Sequence, residues 1–414
     1  MIRARVLALV MVMLSAAFWG GKAQAAQCVT LEAYGGSGNG TTDNSVAWSA
    51  ALAAIGTSNG CVQLGAGTYM SSTQVTVSTS AATAQSITIS GVGPRTTILY
   101  FPNATGGLVI NMPTPQNGVH VSGITLATGQ VGGQVGLFIN SPCFGGQSPG
   151  VANFGTGPQH LIDNVDFRGF DSLSTSNGLG NDYWDYGIII NNASAFNMRA
   201  ITMYGPNTPA GTGILVQGAG ANGTSDNCAS AIFNISQGNF QRLGTAFLYG
   251  TAAQGVNITQ SNFVYNRVDI ACPPTSKNNY QLTVTGSEFD NGWFTPNNGS
   301  IVIGCSLHDV MINGNLFYIQ GATNSVILSG SSARFVITGN DFSQQGTTHV
   351  GNGVNVLGIA VHGMISGNSF DDLSTGVLLG SGSNSFNVQG NSYTNVSTPV
   401  TNQGTNNTVG GGSS

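Results

Sequence analysis

The chain has 414 residues, enough for two ordinary domains or for one elongated repeat domain. Only 6% of them are charged, against about a quarter in an average domain, while hydrophobic residues make up 41%. That balance excludes a disordered chain, and Lys plus Arg total only 10, too few to bind nucleic acid through its phosphates.

Glycine reaches 61 residues, about twice its usual share, but without the strict Gly-X-Y period of collagen. Residues 1–25 read as a signal peptide. Arg3 and Arg5 form a positive start, residues 6–18 an apolar stretch, and Ala23 and Ala25 a small-x-small cleavage site. The apolar stretch is short for a membrane span. No later stretch approaches that length, so the expectation is a secreted or periplasmic protein with no span after cleavage. Beyond residue 25 the fixed cations are Arg95, Arg168, Arg199, Arg242, Arg267, Lys277 and Arg334. Six cysteines remain, an even count that favours disulfides in an exported chain, and no C-x-x-C pair points to zinc.

Residues 29–44 (VTLEAYGGSGNGTTDN) predict a strand and a Gly-rich loop, and residues 45–55 a helix capped by Asp43 or its neighbours. Trp48, Leu52 and Ile55 share one face of that helix. A dinucleotide-binding reading of the loop fails, because the glycine spacing is off and β-repeat rather than βαβ follows. The segment resembles the opening of the pectate lyase superfamily, in the group shared by rhamnogalacturonase- and epimerase-like domains and phage tailspikes. That group opens on a strand, an aromatic-Gly-Ala-x-Gly-Asp-Gly loop, Thr-Asp-Asp and a short helix that plugs the first coil. Tyr34, Gly35, Gly38, Gly40, Thr42 and Asp43 match, whereas Asn39 and Asn44 stand where the group carries acids. The resemblance is specific over residues 29–70. It implies an all-β, right-handed parallel β-helix with a short N-terminal capping helix, acting on carbohydrate.

The residues point to the same fold independently. From residue 233 one phrase recurs: 233–240 (FNISQGNF), 256–263 (VNITQSNF), 282–289 (LTVTGSEF), 310–317 (VMINGNLF), 335–342 (FVITGNDF), 363–370 (GMISGNSF) and 386–393 (FNVQGNSY). The closing aromatics lie 23, 26, 28, 25, 28 and 23 residues apart, with period-two alternation inside each unit. A solenoid coil explains this spacing, with coils stacked at about 4.8 Å. The aliphatic and aromatic positions should face inward. Asn315, Asn340, Asn368 and Asn391 should form a hydrogen-bonded column at a turn. A second strand per unit includes 268–272 and 301–305, which aligns Cys272 with Cys305 in neighbouring coils and predicts that disulfide. Cys28–Cys61 would tie the cap together, leaving Cys143–Cys228. Insertions at 141–159, 170–186 and 218–229 are expected to cluster on one face. The organisation is then a cap and first coil over 26–70, the β-helix over 71–402 and a flexible Gly-rich tail over 403–414.

Acids are scarce, so those that cluster are informative. Glu288 and Asp290 flank the inward Phe289 and should both face solvent, about 6–7 Å apart. Asp341 should lie two coils on, roughly 10 Å away, with Asp371 in the coil after it. Trp293 and Tyr318 offer rings for a sugar to stack on. Paired carboxylates at such distances suit glycoside hydrolysis, one donating a proton to the leaving oxygen and the other activating water. The competing reading is turn residues bonded to local backbone. A second candidate binding cluster is Asp182, Trp184 and Asp185, inside an insertion. A lyase would need a cationic base, for which Arg242, Arg267, Lys277 and Arg334 are available, or calcium held by clustered carboxylates; a hydrolase needs no cofactor. Asp371 and Asp372 resemble the adjacent-Asp element of polygalacturonases, but the accompanying Asn-Thr-Asp, Gly-His-Gly and Arg-Ile-Lys elements are absent. Three readings follow: a polysaccharide hydrolase or lyase; a non-catalytic carbohydrate-binding or surface-structural β-helix; and a phage-derived trimeric spike. Polysaccharide is the expected partner, and the protein a monomer or trimer.

Overall fold

The computed structural model describes residues 27–114, 116–141, 159–175, 178–218, 230–290, 299–320, 323–331, 333–344 and 349–410. The expected signal peptide, Cys143 and Cys228 with their expected disulfide, and Trp293 lie outside them.

All the strand pairings are parallel and join one coil to the next. Two long sheets result, one of 25 strands and one of 12. The 12-stranded sheet advances one strand per coil, from Val75–Ser78 to Thr398–Asn402. In the larger sheet most coils contribute two short strands with a sharp bend between them, as in Ser230–Ser236 and Asn239–Gln241. This is a parallel β-helix, right-handed as parallel crossovers are. The helix Ser45–Ile55 buries Trp48 and Ile55 against the first coils, with Leu52 packed at the margin. Its first turn is held by Asp43, whose carboxylate accepts the Ser45 N–H at 3.0 Å and the Ser72 N–H at 3.2 Å. The Ser45 and Ser72 hydroxyls donate to the same carboxylate and, with a smaller contribution from these backbone bonds, pull it down to about 2.

The repeated phrase builds the interior. Phe240, Phe263, Phe289, Phe317, Phe342, Phe370 and Tyr393 form one stack, with successive ring centroids 4.6–5.3 Å apart and planes within 4–11°. Like stacks on like because each coil places its ring one strand spacing above the last. At the bend, residues 237, 260, 286, 314, 339, 367 and 390 have φ between 49° and 64°. Glycine takes that left-handed turn without strain, and it occupies the last five of these positions. The residue after the bend points inward. Asn340 Oδ1 accepts both the backbone N–H and the Nδ2 of Asn315, each at 3.0 Å, and Asn368 and Asn391 repeat the arrangement in the next two coils. Ser287 N–H continues the column by donating to Asn315 Oδ1, and Ser261 N–H donates to Ser287 Oγ.

Cys28 pairs with Cys61 in register, and the two are joined by a disulfide with Cα atoms 4.4 Å apart. Cys272 and Cys305 are also bonded, at 5.4 Å, but not in the expected column. Cys272 lies opposite Ile303, and Cys305 sits two residues beyond, where the chain turns back and its N–H donates to Cys272 O. A shift of two residues preserves which side chains face inward, so hydrophobic alternation could not separate the two registers.

The insertions expected at 141–159 and 218–229 lie almost wholly outside the described residues, and 170–186 follows the larger-sheet strand His160–Gly169. Two other expectations change. Trp184 is a core residue, only 4% exposed, and its Nε1 donates to Leu126 O at 3.0 Å. Residues 403–410 are not loose. Gln403 N–H donates to Leu379 O, and Thr408 and Val409 pair with Asn387 and Val388.

Candidate functional site

The short strands after the bend put an inward ring between two outward side chains. Two outward columns therefore run along the helix axis. The first contains Asn262, Glu288, Leu316, Asp341 and Ser369, and the second Val264, Asp290, Tyr318, Ser343 and Asp371. Glu288 and Asp341 thus stand in one column two coils apart, about 10 Å, and Asp290 and Asp371 in the other, three coils apart. Tyr318 follows Asp290 directly in its column, so its ring lies one strand spacing from the acid. Glu288, Asp290, Tyr318 and Asp371 are half-buried, whereas Leu316 and Asp341 are exposed.

The electrostatics distinguish these acids. Burial pushes the Asp290 carboxyl upward, and the Glu288 charge pushes it further. Asp341 is also raised, by partial desolvation of its carboxyl against the strand and then by the Asp371 charge. Asp290 Oδ1 is shielded from water and, among the described residues, has no hydrogen-bond partner. Asp290 differs in this from Asp43, whose carboxylate is filled with backbone and hydroxyl donors. Two coupled carboxylates, one pushed toward its protonated form by the other, are the groups that acid–base cleavage of a glycosidic bond requires.

Four coils toward the N-terminus, about 19 Å along the same columns, lies the second cluster. Asp166 and Arg168 occupy the two columns there and are buried, with Arg168 Nε bonded to Asp166 Oδ2 at 2.6 Å and the guanidinium over the Tyr204 ring. The loop 170–185 leaves the strand that carries them. Asp171 accepts the Asn181 N–H at 2.6 Å and folds the loop back. Asp182 is raised by burial and by the Asp171 charge. The rings that face outward here are not Trp184 but Tyr100 and Phe170, stacked with centroids 3.8 Å apart, and Tyr183, all half-buried. The Asp182 charge also acts on Tyr100, adding to burial in raising its hydroxyl. Sequence reasoning missed Tyr100 and Phe170, because only the coil register brings residues 70 apart together. Asp185 is half-buried at the loop's end.

Among the described residues, no three His, Cys, Asp or Glu side chains come together in a way that could hold a metal ion. No helix among them is long and apolar enough to cross a membrane.

Compared with known protein families and with curated proteins, the sequence matches none. Its fold does match solved structures. PfbA, a surface adhesin of Streptococcus pneumoniae, aligns with a TM-score of 0.58 at 12% identity, over 91% of this chain and 92% of that one. DFA-IIIase from Arthrobacter chlorophenolicus A6, solved without its lid, aligns at 0.56 and 13%, over 89% and 95%. Gene product 12 of bacteriophage phi29 aligns at 0.57 and 16%, over 88% of this chain and 52% of the phage protein, so the chain spans about half of that protein's length. The chain shares their fold. At these identities the likeness fixes architecture and leaves the chemistry to the side chains.

Proposed function

We propose that this is an exported β-helix that binds a polysaccharide along the outward columns and cleaves it at Glu288 and Asp290. The observation that carries the reading is the pair itself: two carboxylates on alternate outward positions of one strand, with Asp290 raised by burial and by Glu288. In this reading the Asp290 carboxyl gives its proton to the glycosidic oxygen as the bond to the anomeric carbon breaks. Glu288 takes a proton from the water that bonds to that carbon. A spacing of about 6–7 Å along the strand lies at the short end of the inverting range, with room for that water. Tyr318 and Trp293 would stack on neighbouring sugar rings, and Asp341 would bond hydroxyls two coils on. Tyr100, Phe170 and Tyr183, with Asp182 and Asp185, would hold the chain further along. The two disulfides fit an oxidising compartment.

The test is to incubate the purified protein with a panel of polysaccharides and follow both new reducing ends and absorbance at 235 nm. Glu288→Gln and Asp290→Asn are each expected to lower the rate about 10²–10⁴-fold. New reducing ends without absorbance mean hydrolysis, whereas absorbance means elimination.

A second reading is a non-catalytic carbohydrate-binding or surface-structural protein, and the likeness to a surface adhesin across 91% of the chain favours it. Binding in an affinity gel without cleavage of any polymer would support this reading over the first.

A further inference from the structure

The outer face of the smaller sheet departs from the rest of the surface. Strands of the larger sheet alternate, apolar inward and polar outward. Asn234 and Ser236 flank the buried Ile235, and Thr283 and Thr285 flank the buried Val284. Strands of the smaller sheet instead run on as apolar stretches: 188–190 (III), 214–216 (ILV), 247–249 (FLY), 301–303 (IVI) and 326–328 (VIL). The first and third residues of each stretch point into the core and are buried. The middle residue points out. A parallel strand that is apolar on both sides is one that is covered on both sides.

The middle residues line up. The pairings join them into one ridge that runs from Val109 through Phe138, Ile189, Leu215 and Leu248 to Ile327, apolar in every coil and about 34 Å long. Val109 and Leu215 are 8% and 9% exposed, and the other four are half-buried. The flanks of the ridge are uncharged, with Thr212 and Thr245 on one side and Asn140, Asn191 and Gln217 on the other. None of the twelve strands carries a Glu, Lys or Arg. Their one Asp, Asp269 in Val268–Cys272, is fully buried and faces inward, bonded by Asn266 and Ser300.

We propose that this face pairs with the same face of a second copy of the chain. Its size fits. Twelve strands at about 4.8 Å and five residues at about 3.3 Å outline a face of roughly 850 Å2, close to the ~800 Å2 that each partner buries in a standard stable interface. Its charge fits as well. A face without fixed charges meets its own copy without repulsion, and it offers a charged partner no opposite group to pair with. Two such sheets stack about 10 Å apart with their ridge side chains interdigitating. A two-fold axis uses the same patch on both copies and closes the assembly at two. The outward columns that carry Glu288 and Asp290 belong to the larger sheet and stay open in the pair.

Sedimentation velocity of the purified protein over a range of concentrations tests this. The wild type should run at twice the mass of one chain. Leu248→Glu and Ile327→Glu each put a charge on the ridge and should weaken pairing at least a hundredfold, because that charge would be buried without a partner. Thr285→Glu, on the outer face of the larger sheet, should leave the pair intact. Circular dichroism shows whether each variant keeps its β structure. Leu248→Gln, polar but uncharged, takes the place of a glutamate variant that does not fold. A wild type that stays monomeric at its highest soluble concentration overturns the proposal, whether the face is then bare or covered by residues 142–158 and 219–229 of the same chain. A trimer, which a two-fold axis cannot build, overturns it too. So does a dimer whose mass is unchanged in the folded ridge variants.

Discussion

Replacing Asp269 by serine should make the protein more stable at pH 8, not less. The Asp269 carboxyl has an ordinary value of 3.8; burial, with a smaller push from the Asp290 charge, outweighs the hydrogen bonds from Asn266 and Ser300 and lifts it to about 7. The folded state therefore holds this proton more tightly than the unfolded chain. Below pH ~4 both states carry it and nothing is lost. As the pH rises toward 7 the unfolded chain releases its proton first, and the folded state loses stability until Asp269 ionises too. The gap between 3.8 and about 7 is worth at most about 4 kcal/mol, and relaxation of the site reduces it. Urea unfolding at pH 4 and pH 8 reads this directly. The wild-type midpoint should fall between the two pH values by more than that of Asp269→Ser. The variant should be about 2–4 kcal/mol the more stable at pH 8 and within about 1 kcal/mol at pH 4. Equal pH dependence in both proteins would mean that Asp269 is not the buried, proton-holding group described above.

Asn340→Ala should be among the most damaging single changes in the helix. Its side chain accepts two bonds from Asn315 and donates to Ile312 O at 2.9 Å and to Asn368 Oδ1 at 3.0 Å. Alanine removes all four in a water-free interior: the Asn315 backbone N–H loses its side-chain acceptor, and Asn315 Nδ2, Ile312 O and Asn368 Oδ1 each lose one bond. At about 1 kcal/mol for each bond lost, the cost is about 3–4 kcal/mol, felt in three coils at once. Asn313→Ala, on the outward face with a bond to the Thr338 hydroxyl at 3.3 Å, should cost less than about 0.5 kcal/mol. Chemical denaturation of the two variants side by side checks the difference. A similar cost for both would mean that the column adds nothing beyond an ordinary surface asparagine.

These two residues also mark what the sequence reveals and what it hides. Asn340 was legible because it repeats: the same residue after the same bend in four consecutive coils can only stack. The aromatic stack and the outward placement of Glu288 and Asp290 follow from the same repetition. Asp269 was not legible. It lies between Val268 and Ile270, so simple alternation places it outside, yet two successive residues of that strand, Asp269 and Ile270, turn inward. The register of Cys272 against Cys305 was equally hidden, since a two-residue slip leaves the hydrophobic pattern intact. The second cluster could not be assembled from sequence, because Tyr100 and Phe170 meet only through coil stacking, and Trp184 fills the core that the loop closes over.

The most direct test of the central claim is a crystal structure of the Glu288→Gln protein with an oligosaccharide cut from whichever polymer it binds. The account predicts sugar rings lying along the helix axis, one over Tyr318, with a glycosidic oxygen within hydrogen-bond reach of Asp290. Sugar found only at Tyr100, Phe170 and Asp182, or on the opposite sheet, would contradict it.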